Sequence, residues 1–116
     1  MADCLFCGIV AGDIPAEVVR TDERTVAFRD INPQAPVHVL VVPRRHITNA
    51  STVTPADADE VTALLIAAKA VADAEGIGGT DRGYRLIFNV GPDALNSVPH
   101  LHLHVLGGRT LTGSLG

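Results

Sequence analysis

The feature that most constrains this chain is a row of three histidines at every second position within residues 99–106. Because side chains alternate between the two faces of a β-strand, His100, His102 and His104 would share one face. The leucines and valine between them would share the other. We therefore predict a strand over residues 100–106, with its apolar face on a core and its imidazole face toward a cleft. At a rise of ~3.3 Å per residue, neighbouring imidazoles would be anchored ~6–7 Å apart, close enough for two to engage one phosphate group.

Length and composition limit the classes of protein to which this chain can belong. With 116 residues, 47% of them apolar, the chain is long enough for a single domain over residues 1–116 and too apolar to be disordered. A formal charge of −4 argues against general binding to nucleic acid or to anionic membranes. We see neither an apolar span of membrane length nor a signal peptide, so we expect a cytoplasmic location.

The order of the secondary-structure patterns predicts the fold class. Strand patterns occupy residues 18–21, 25–30, 37–42, 84–89 and 100–106, and a short helical pattern occupies residues 4–11. A long helix should start with Thr54 as N-cap and Pro55 in the first turn, and should stop at Gly76. Its predicted apolar stripe contains Val61, Leu64, Leu65, Ala68, Val71 and Ala72. We predict an α+β fold, a five-stranded antiparallel sheet with one long helix and a short N-terminal helix.

The segment His100–Leu106 resembles the signature of the histidine triad family, in which three histidines alternate with apolar residues. The likeness extends to Asp30–His38, similar to the family's strand-loop-strand, and to Val41–His46, which follows it. Ser97-Val98 resembles part of the phosphate loop, and Val105–Arg109 is typical of the Hint branch. The resemblance therefore covers most of the chain, and it implies a HIT-like fold.

The resemblance implies an enzyme of the nucleoside phosphoramidase type. Such proteins bind purine nucleotides resembling AMP or GMP and transfer the nucleoside monophosphate to water or another acceptor through a nucleotidyl-histidine intermediate. His102 would be the nucleophile, and His104 would contact the scissile phosphate and protonate the leaving group. Histidine suits both roles because its ordinary pKa, ~6.5, lies near working pH.

The remaining nucleotide contacts are also implied by the resemblance. Ser97 and Asn89 would donate hydrogen bonds to the phosphate, and His38 would lie beside it. Asp30 would accept hydrogen bonds from the ribose hydroxyls, although by itself it could equally be a turn residue. The positions that match the base pocket are Leu5, Phe6, Ile9, Phe28 and Ile31.

The chain has two cysteines, Cys4 and Cys7, in a Cys-x₂-Cys spacing that provides half of a zinc site. The resemblance implies that His46 and His100 complete a structural Zn²⁺ site. A reduced cysteine pair and a redox motif are the alternatives. A catalytic metal held by the three alternating histidines is disfavoured, because Cys4 and Cys7 compete for His100.

Two departures from the family leave alternatives open. Leu95 and Asn96 replace the usual Gly-Gln before Ser97, and the end of the chain lacks the Trp-Pro-Pro-Gly common in the Hint branch. One alternative is a hydrolase or nucleotidyl transferase acting on dinucleoside polyphosphates. Another is a non-catalytic, zinc-stabilised nucleotide-binding module. The resemblance also implies a homodimer.

Overall fold

The fold is a five-stranded antiparallel sheet with a helix on each face. The computed structural model describes residues 4–79 and 81–114. The strands are β1 (Val18–Thr21), β2 (Thr25–Arg29), β3 (Val37–Pro43), β4 (Tyr84–Ile87) and β5 (Leu103–Gly107), in the spatial order β1-β2-β3-β5-β4. The helices are α1 (Leu5–Ala11) and α2 (Ala58–Ala74). The predicted α+β class, antiparallel sheet and two helices are confirmed.

The two faces of the sheet bury different sets of residues. Val39, Val41 and Val105 point toward α2, whose buried side chains complete that core. Leu40 and Phe28 point to the opposite face, where Phe6 of α1 packs against them. The central strand β3 is therefore buried along its whole length, as its almost uninterrupted apolar sequence predicts.

The long helix begins later than the sequence predicts. Thr54 and Pro55 start a 3₁₀ turn over Pro55–Asp57, and α2 begins only at Ala58. The Asp57 carboxylate accepts a hydrogen bond from the Thr54 backbone N–H at 2.9 Å, which holds this first turn. The predicted apolar stripe is wrong at Leu65, which is 47% exposed, because the core is reached instead through the fully buried Ala67. No helix within the described ranges is long and apolar enough to cross a bilayer.

The histidine strand is shorter than predicted. His100 lies in a bend, Leu101 and His102 are unpaired, and β5 begins at Leu103, opposite Val41 of β3. The ladder stops there because the Leu101 N–H donates to the Ile47 carbonyl at 2.6 Å rather than to β3. The predicted strands 25–30 and 84–89 likewise end early, at Arg29 and at Ile87.

The alternation of faces survives this shortening. Leu101, Leu103 and Val105 all belong to the core beneath α2. His102 and His104 lie on the opposite side, with their ring centroids 5.0 Å apart. The alternation of faces therefore continues through Leu101 and His102, although both lie before the first ladder pair of β5.

Candidate functional site

A cavity of about 430 Å³ opens on the face of the sheet that is opposite α2. Its walls come from α1, the segment after β2 and the loop that precedes β5. The volume lies in the range of small-molecule sites. The predicted nucleotide contacts that line it are Leu5, Phe6, Ile9, Phe28, Asp30, Ile31, Asn89, Ser97, His102 and His104.

The closed end of this cavity is apolar and contains a small aromatic cluster. The buried ring of Phe6 lies edge-on to Phe28, with centroids 5.3 Å apart, and edge-on to His102, with centroids 5.0 Å apart. Ile31 is at the rim and is 98% exposed. A flat apolar group could therefore enter between Ile31 at the rim and Phe28 at the floor, leaving His102 at the polar end.

The nitrogen that His102 offers to the cavity is fixed by its backbone. Its Nδ1 lies 2.7 Å from the carbonyl oxygen of His100. A carbonyl only accepts, so Nδ1 carries the hydrogen and Nε2 keeps a lone pair in the neutral ring. This is the tautomer that a nucleophilic imidazole requires.

A second chain of hydrogen bonds orients His104. The Gln34 backbone N–H donates to His38 Nδ1 at 3.0 Å, so His38 carries its hydrogen on Nε2. That Nε2 lies 2.9 Å from His104 Nδ1, which accepts and leaves the His104 hydrogen on Nε2. His104 Nε2 is buried and has no hydrogen-bond partner in the part of the chain that is described. His104 is thus a donor that a ligand could satisfy.

Both members of this pair are held neutral. Burial, with a smaller contribution from the neighbouring His102 and His38, lowers the pKa of His104 to about 4. Burial also lowers the pKa of His38, although the nearby Asp30 carboxylate opposes it. Neutral rings keep the hydrogen-bond directions given above.

Asp30 lies against this pair but does not form a cation site with it. Its Oδ1 accepts from the Asn32 N–H at 2.8 Å, and its Oδ2 lies 3.4 Å from His38 Nε2. One ligand atom each from Asp30, His38 and His104 would be close enough to share an ion. However, the Gln34 N–H occupies the lone pair of His38 Nδ1, so His38 Nε2 carries a proton and is not free to bind a metal.

The loop before β5 carries the departures noted in the sequence. Leu95 has a left-handed backbone with φ 60° and is 87% exposed at the cavity. Asn96 also lines the cavity, and its Oδ1 is buried without a partner within residues 4–79 and 81–114. The exposed Ser97 follows at the rim. This loop therefore presents one unsatisfied polar atom, Asn96 Oδ1, at the cavity that His102 also lines.

The two cysteines lie in a separate cluster with two histidines. Cys4 Sγ is 3.3 Å from His100 Nδ1, and Cys7 Sγ is 3.3 Å from His46 Nδ1. The two Nδ1 atoms are 3.2 Å apart, and all four ligand atoms lie within 4.8 Å of one another. Tetrahedral zinc with these ligands would separate them by about 3.3–3.8 Å, given its usual bond lengths. The donor set and its spacing therefore fit zinc.

The hydrogen bonds of His100 also suit a metal ligand. Its Nε2 lies 2.9 Å from the Pro43 carbonyl, so Nε2 carries the hydrogen and Nδ1 has the lone pair. Its side chain is fully buried, and burial lowers its pKa, which keeps the ring neutral. His100 thus faces the cysteines, whereas His102 faces the cavity.

The structure brings together every residue predicted for the two sites. His38 does not line the first cavity itself but contacts His104 and Asp30, which do. Sequence reasoning missed the role of Gln34, whose contribution is a backbone N–H that no residue pattern reveals. It also missed the cavity walls formed by Ile14, Pro15, Ala16, Arg29, Leu40 and Val98.

Comparison with known proteins gives a consistent result. Residues 11–111 match the family model of the HIT domain. An uncharacterised HIT-like protein of Synechococcus elongatus is 43% identical over 109 residues, which is 94% of this chain and 93% of that protein. The crystal structure of a HIT family hydrolase from Legionella pneumophila superposes with a TM-score of 0.93 and 47% identity, covering 98% of this chain and 100% of that one.

A third relative concerns the metal. A zinc-bound histidine triad family protein from Mycobacterium smegmatis has a TM-score of 0.79 and 30% identity, over 93% of this chain and 76% of that one. Together with the match to the HIT domain, these likenesses show that the chain belongs to the histidine triad (HIT) family.

Proposed function

We propose that this protein is a hydrolase of purine nucleoside phosphoramidates or related nucleoside 5′-monophosphate derivatives. The observation that carries the proposal is the hydrogen bond of His102. Its Nδ1–H donates to the His100 carbonyl, so Nε2 keeps a lone pair at the cavity. The structural relatives described as HIT family hydrolases, from Legionella pneumophila and Clostridium thermocellum, support hydrolysis in general.

The reaction has two steps. His102 Nε2 attacks the α-phosphorus, the bond from phosphorus to the leaving nitrogen breaks, and the leaving amine takes a proton. The His104 Nε2–H donates a hydrogen bond to the phosphoryl oxygen or to the leaving nitrogen. To protonate the amine, the ring must first take a second proton from water, which a bound phosphate favours because its negative charge raises the pKa of His104. Water then attacks the nucleotidyl-His102 intermediate, loses a proton and releases the nucleoside monophosphate with His102 restored.

The other residues bind the nucleotide. Asp30 has lone pairs left for ribose hydroxyls, since Asn32 uses only one position on Oδ1. Ser97 and Asn89 offer side-chain donors to the phosphate. The apolar end of the cavity, around Phe6 and Phe28, would hold the purine by contact rather than by hydrogen bonds to its edge.

We also propose that Cys4, Cys7, His46 and His100 hold a structural zinc ion. Four protein ligands would close the coordination sphere, so the ion would supply no water or substrate position. Its contribution would be to fix α1, and with it Phe6, against the segment that carries His100 and His102. Phe6 lies between the cluster and the cavity, with its ring 6.0 Å from that of His100.

We propose, as the family resemblance implies, that the chain forms a homodimer. The outer strands β1 and β4 each leave one edge unpaired among the described strands, and Leu65, Ile66 and Leu86 are exposed apolar side chains. Such edges and side chains are usually covered in proteins. Sedimentation velocity should give twice the chain mass; a concentration-independent monomer would contradict this.

Turnover of an adenosine 5′-phosphoramidate tests the catalytic proposal. Wild type should release AMP, and His102→Ala should slow release by a factor on the order of 10³–10⁴ while still binding AMP. If wild type binds AMP tightly but releases nothing, from this substrate or from a dinucleoside polyphosphate, the binding module is correct instead. Release from the dinucleoside polyphosphate alone would favour the hydrolase or nucleotidyl transferase alternative.

A further inference from the structure

A second cavity, of about 420 Å³, continues the first on the same face of the sheet, toward β4. His104 and Asn89 line both cavities. A nucleotide whose base fills the apolar end of the first cavity would have its phosphorus beside His102 and His104. The group on the far side of the scissile bond would then point into the second cavity.

Strand register places one positively charged side chain, that of Arg85, in this second cavity. Ile87 of β4 lies opposite His104 of β5, and Arg85 lies opposite Leu106. Arg85 and His104 are therefore diagonal neighbours on one face, roughly 7–8 Å apart along the backbone. Arg85 lines the cavity from this position, within one side-chain length of the imidazole that would contact the phosphate.

The charge of Arg85 is not balanced by the protein. Its guanidinium donates one hydrogen bond, to the Thr112 carbonyl at 3.0 Å, and residues 4–79 and 81–114 place no carboxylate within ion-pair distance of it. The side chain is half-buried, and the chain as a whole carries a net charge of −4. A partly desolvated, unpaired guanidinium in an acidic protein offers four free donors to an anion.

Arg109 does not line this cavity but contacts one residue of its wall. It donates to the Gln34 carbonyl at 3.1 Å, and Gln34 lines the cavity. Arg109 is also without an ion pair among the described residues. Among the described residues that line this cavity, Arg85 alone carries a formal charge.

We propose that the second cavity receives the leaving group and that Arg85 selects leaving groups bearing an oxyanion a few atoms beyond the scissile bond. This inference rests on the proposed function and deepens it by naming the substrate class. A carboxylate and a phosphate offer a guanidinium the same paired oxygen acceptors, so either source of the oxyanion fits.

Three adenosine 5′-phosphoramidates of similar size test this. Their leaving amines would be propylamine, which is neutral in the conjugate, β-alanine, which adds a carboxylate, and aminoethyl phosphate, which adds a phosphate. Wild type should show a kcat/KM about tenfold or more higher for the anionic pair. Comparing the two anionic substrates distinguishes a carboxylate preference from a phosphate preference.

Variants of Arg85 test whether this side chain causes the preference for anionic leaving groups. R85Q should reduce kcat/KM about tenfold for the anionic substrates and less than about twofold for the neutral one, and R85K should retain part of the preference. R82Q is the matched control, because Arg82 is exposed near the start of β4 but does not line this cavity. Equal losses on all three substrates, or no loss, would overturn the proposal.

A binding measurement separates this inference from the proposed hydrolysis. Phosphonate analogues with a carbon in place of the leaving nitrogen can be titrated calorimetrically against each variant. If R85Q weakens only the anionic analogues, the selection holds even when wild type turns over none of the phosphoramidates. If the ratio of affinities for anionic and neutral analogues is the same in R85Q as in wild type, Arg85 has no selective role.

Discussion

His100 and His102 are two residues apart, yet each has a different ring nitrogen free of hydrogen. In each ring, a hydrogen bond to a backbone carbonyl decides which nitrogen carries the hydrogen. His100 gives its Nε2 hydrogen to the Pro43 carbonyl and turns Nδ1 toward the cysteines. His102 gives its Nδ1 hydrogen to the His100 carbonyl and keeps Nε2 for the cavity. Identical side chains thus acquire different chemistry from the carbonyl that each one meets.

His104 should make stability depend on pH. Its pKa is about 4 in the folded protein, below the ordinary 6.5 expected after unfolding. Between these values the unfolded chain binds a proton that the folded one excludes. The stabilising contribution is therefore complete above about pH 6.5 and is lost as the pH falls toward about 4.

Urea titrations between about pH 7 and pH 4.5 check this prediction. The urea midpoint of wild type should fall more steeply with acidification than that of His104→Gln, which keeps a donor near the Nε2 position but does not titrate. Titratable groups that do not contact His104 act equally in both proteins, so they cancel in the comparison. Parallel pH profiles would show that His104 is not held neutral by burial.

At the scale of elements, the loop between β4 and β5 holds a leucine where the backbone is left-handed. Leu95 has φ 60°, the one positive φ among the described residues other than glycine. A side chain in this region costs ~1–2 kcal/mol, and glycine at the same position would not pay it. The exposed side chain of Leu95 contributes little buried area in return.

Leu95→Gly should therefore stabilise the protein. We expect the free energy of unfolding to rise by about 0.5–1 kcal/mol, after the entropy cost of glycine is subtracted. Ala94→Gly is the matched control, since the neighbouring residue lacks a positive φ and should lose up to ~1 kcal/mol. Chemical denaturation of both variants measures this, and a loss of stability in Leu95→Gly would contradict it.

At the scale of the whole molecule, the cysteine and histidine cluster joins segments that are far apart in the sequence. Cys4 and Cys7 belong to the N-terminal end, His46 follows β3, and His100 precedes β5. A metal ion shared by these segments would act as a cross-link. Its binding free energy would then contribute directly to folding.

Zinc removal should accordingly lower thermal stability. Purified protein should contain about one zinc ion per chain by mass spectrometry, and a strong chelator should lower its Tm by about 10 °C or more. Cys7→Ala should already have the lower Tm and should not respond to the chelator. Metal-free wild type with an unchanged Tm would show that the cluster is a pair of reduced cysteines beside two histidines.

The sequence predicted the elements best where a local pattern sufficed. β1 and the first helix match their predicted residues closely, and β3 was recognisable from its continuous apolar run. The ends of β4, β5 and α2 could not be predicted, because they depend on partners distant in the sequence. Leu101, for example, leaves the strand ladder because Ile47 accepts its N–H.

The sequence by itself determined which side chains face each way around the histidine row, because the period of two is a property of any extended backbone. Only the tertiary structure decided that His100 joins Cys4 while His102 enters the cavity. Strand pairing likewise placed His38 beside His104 and Arg85 near both. These distances depend on register between strands, which residue patterns along one chain do not contain.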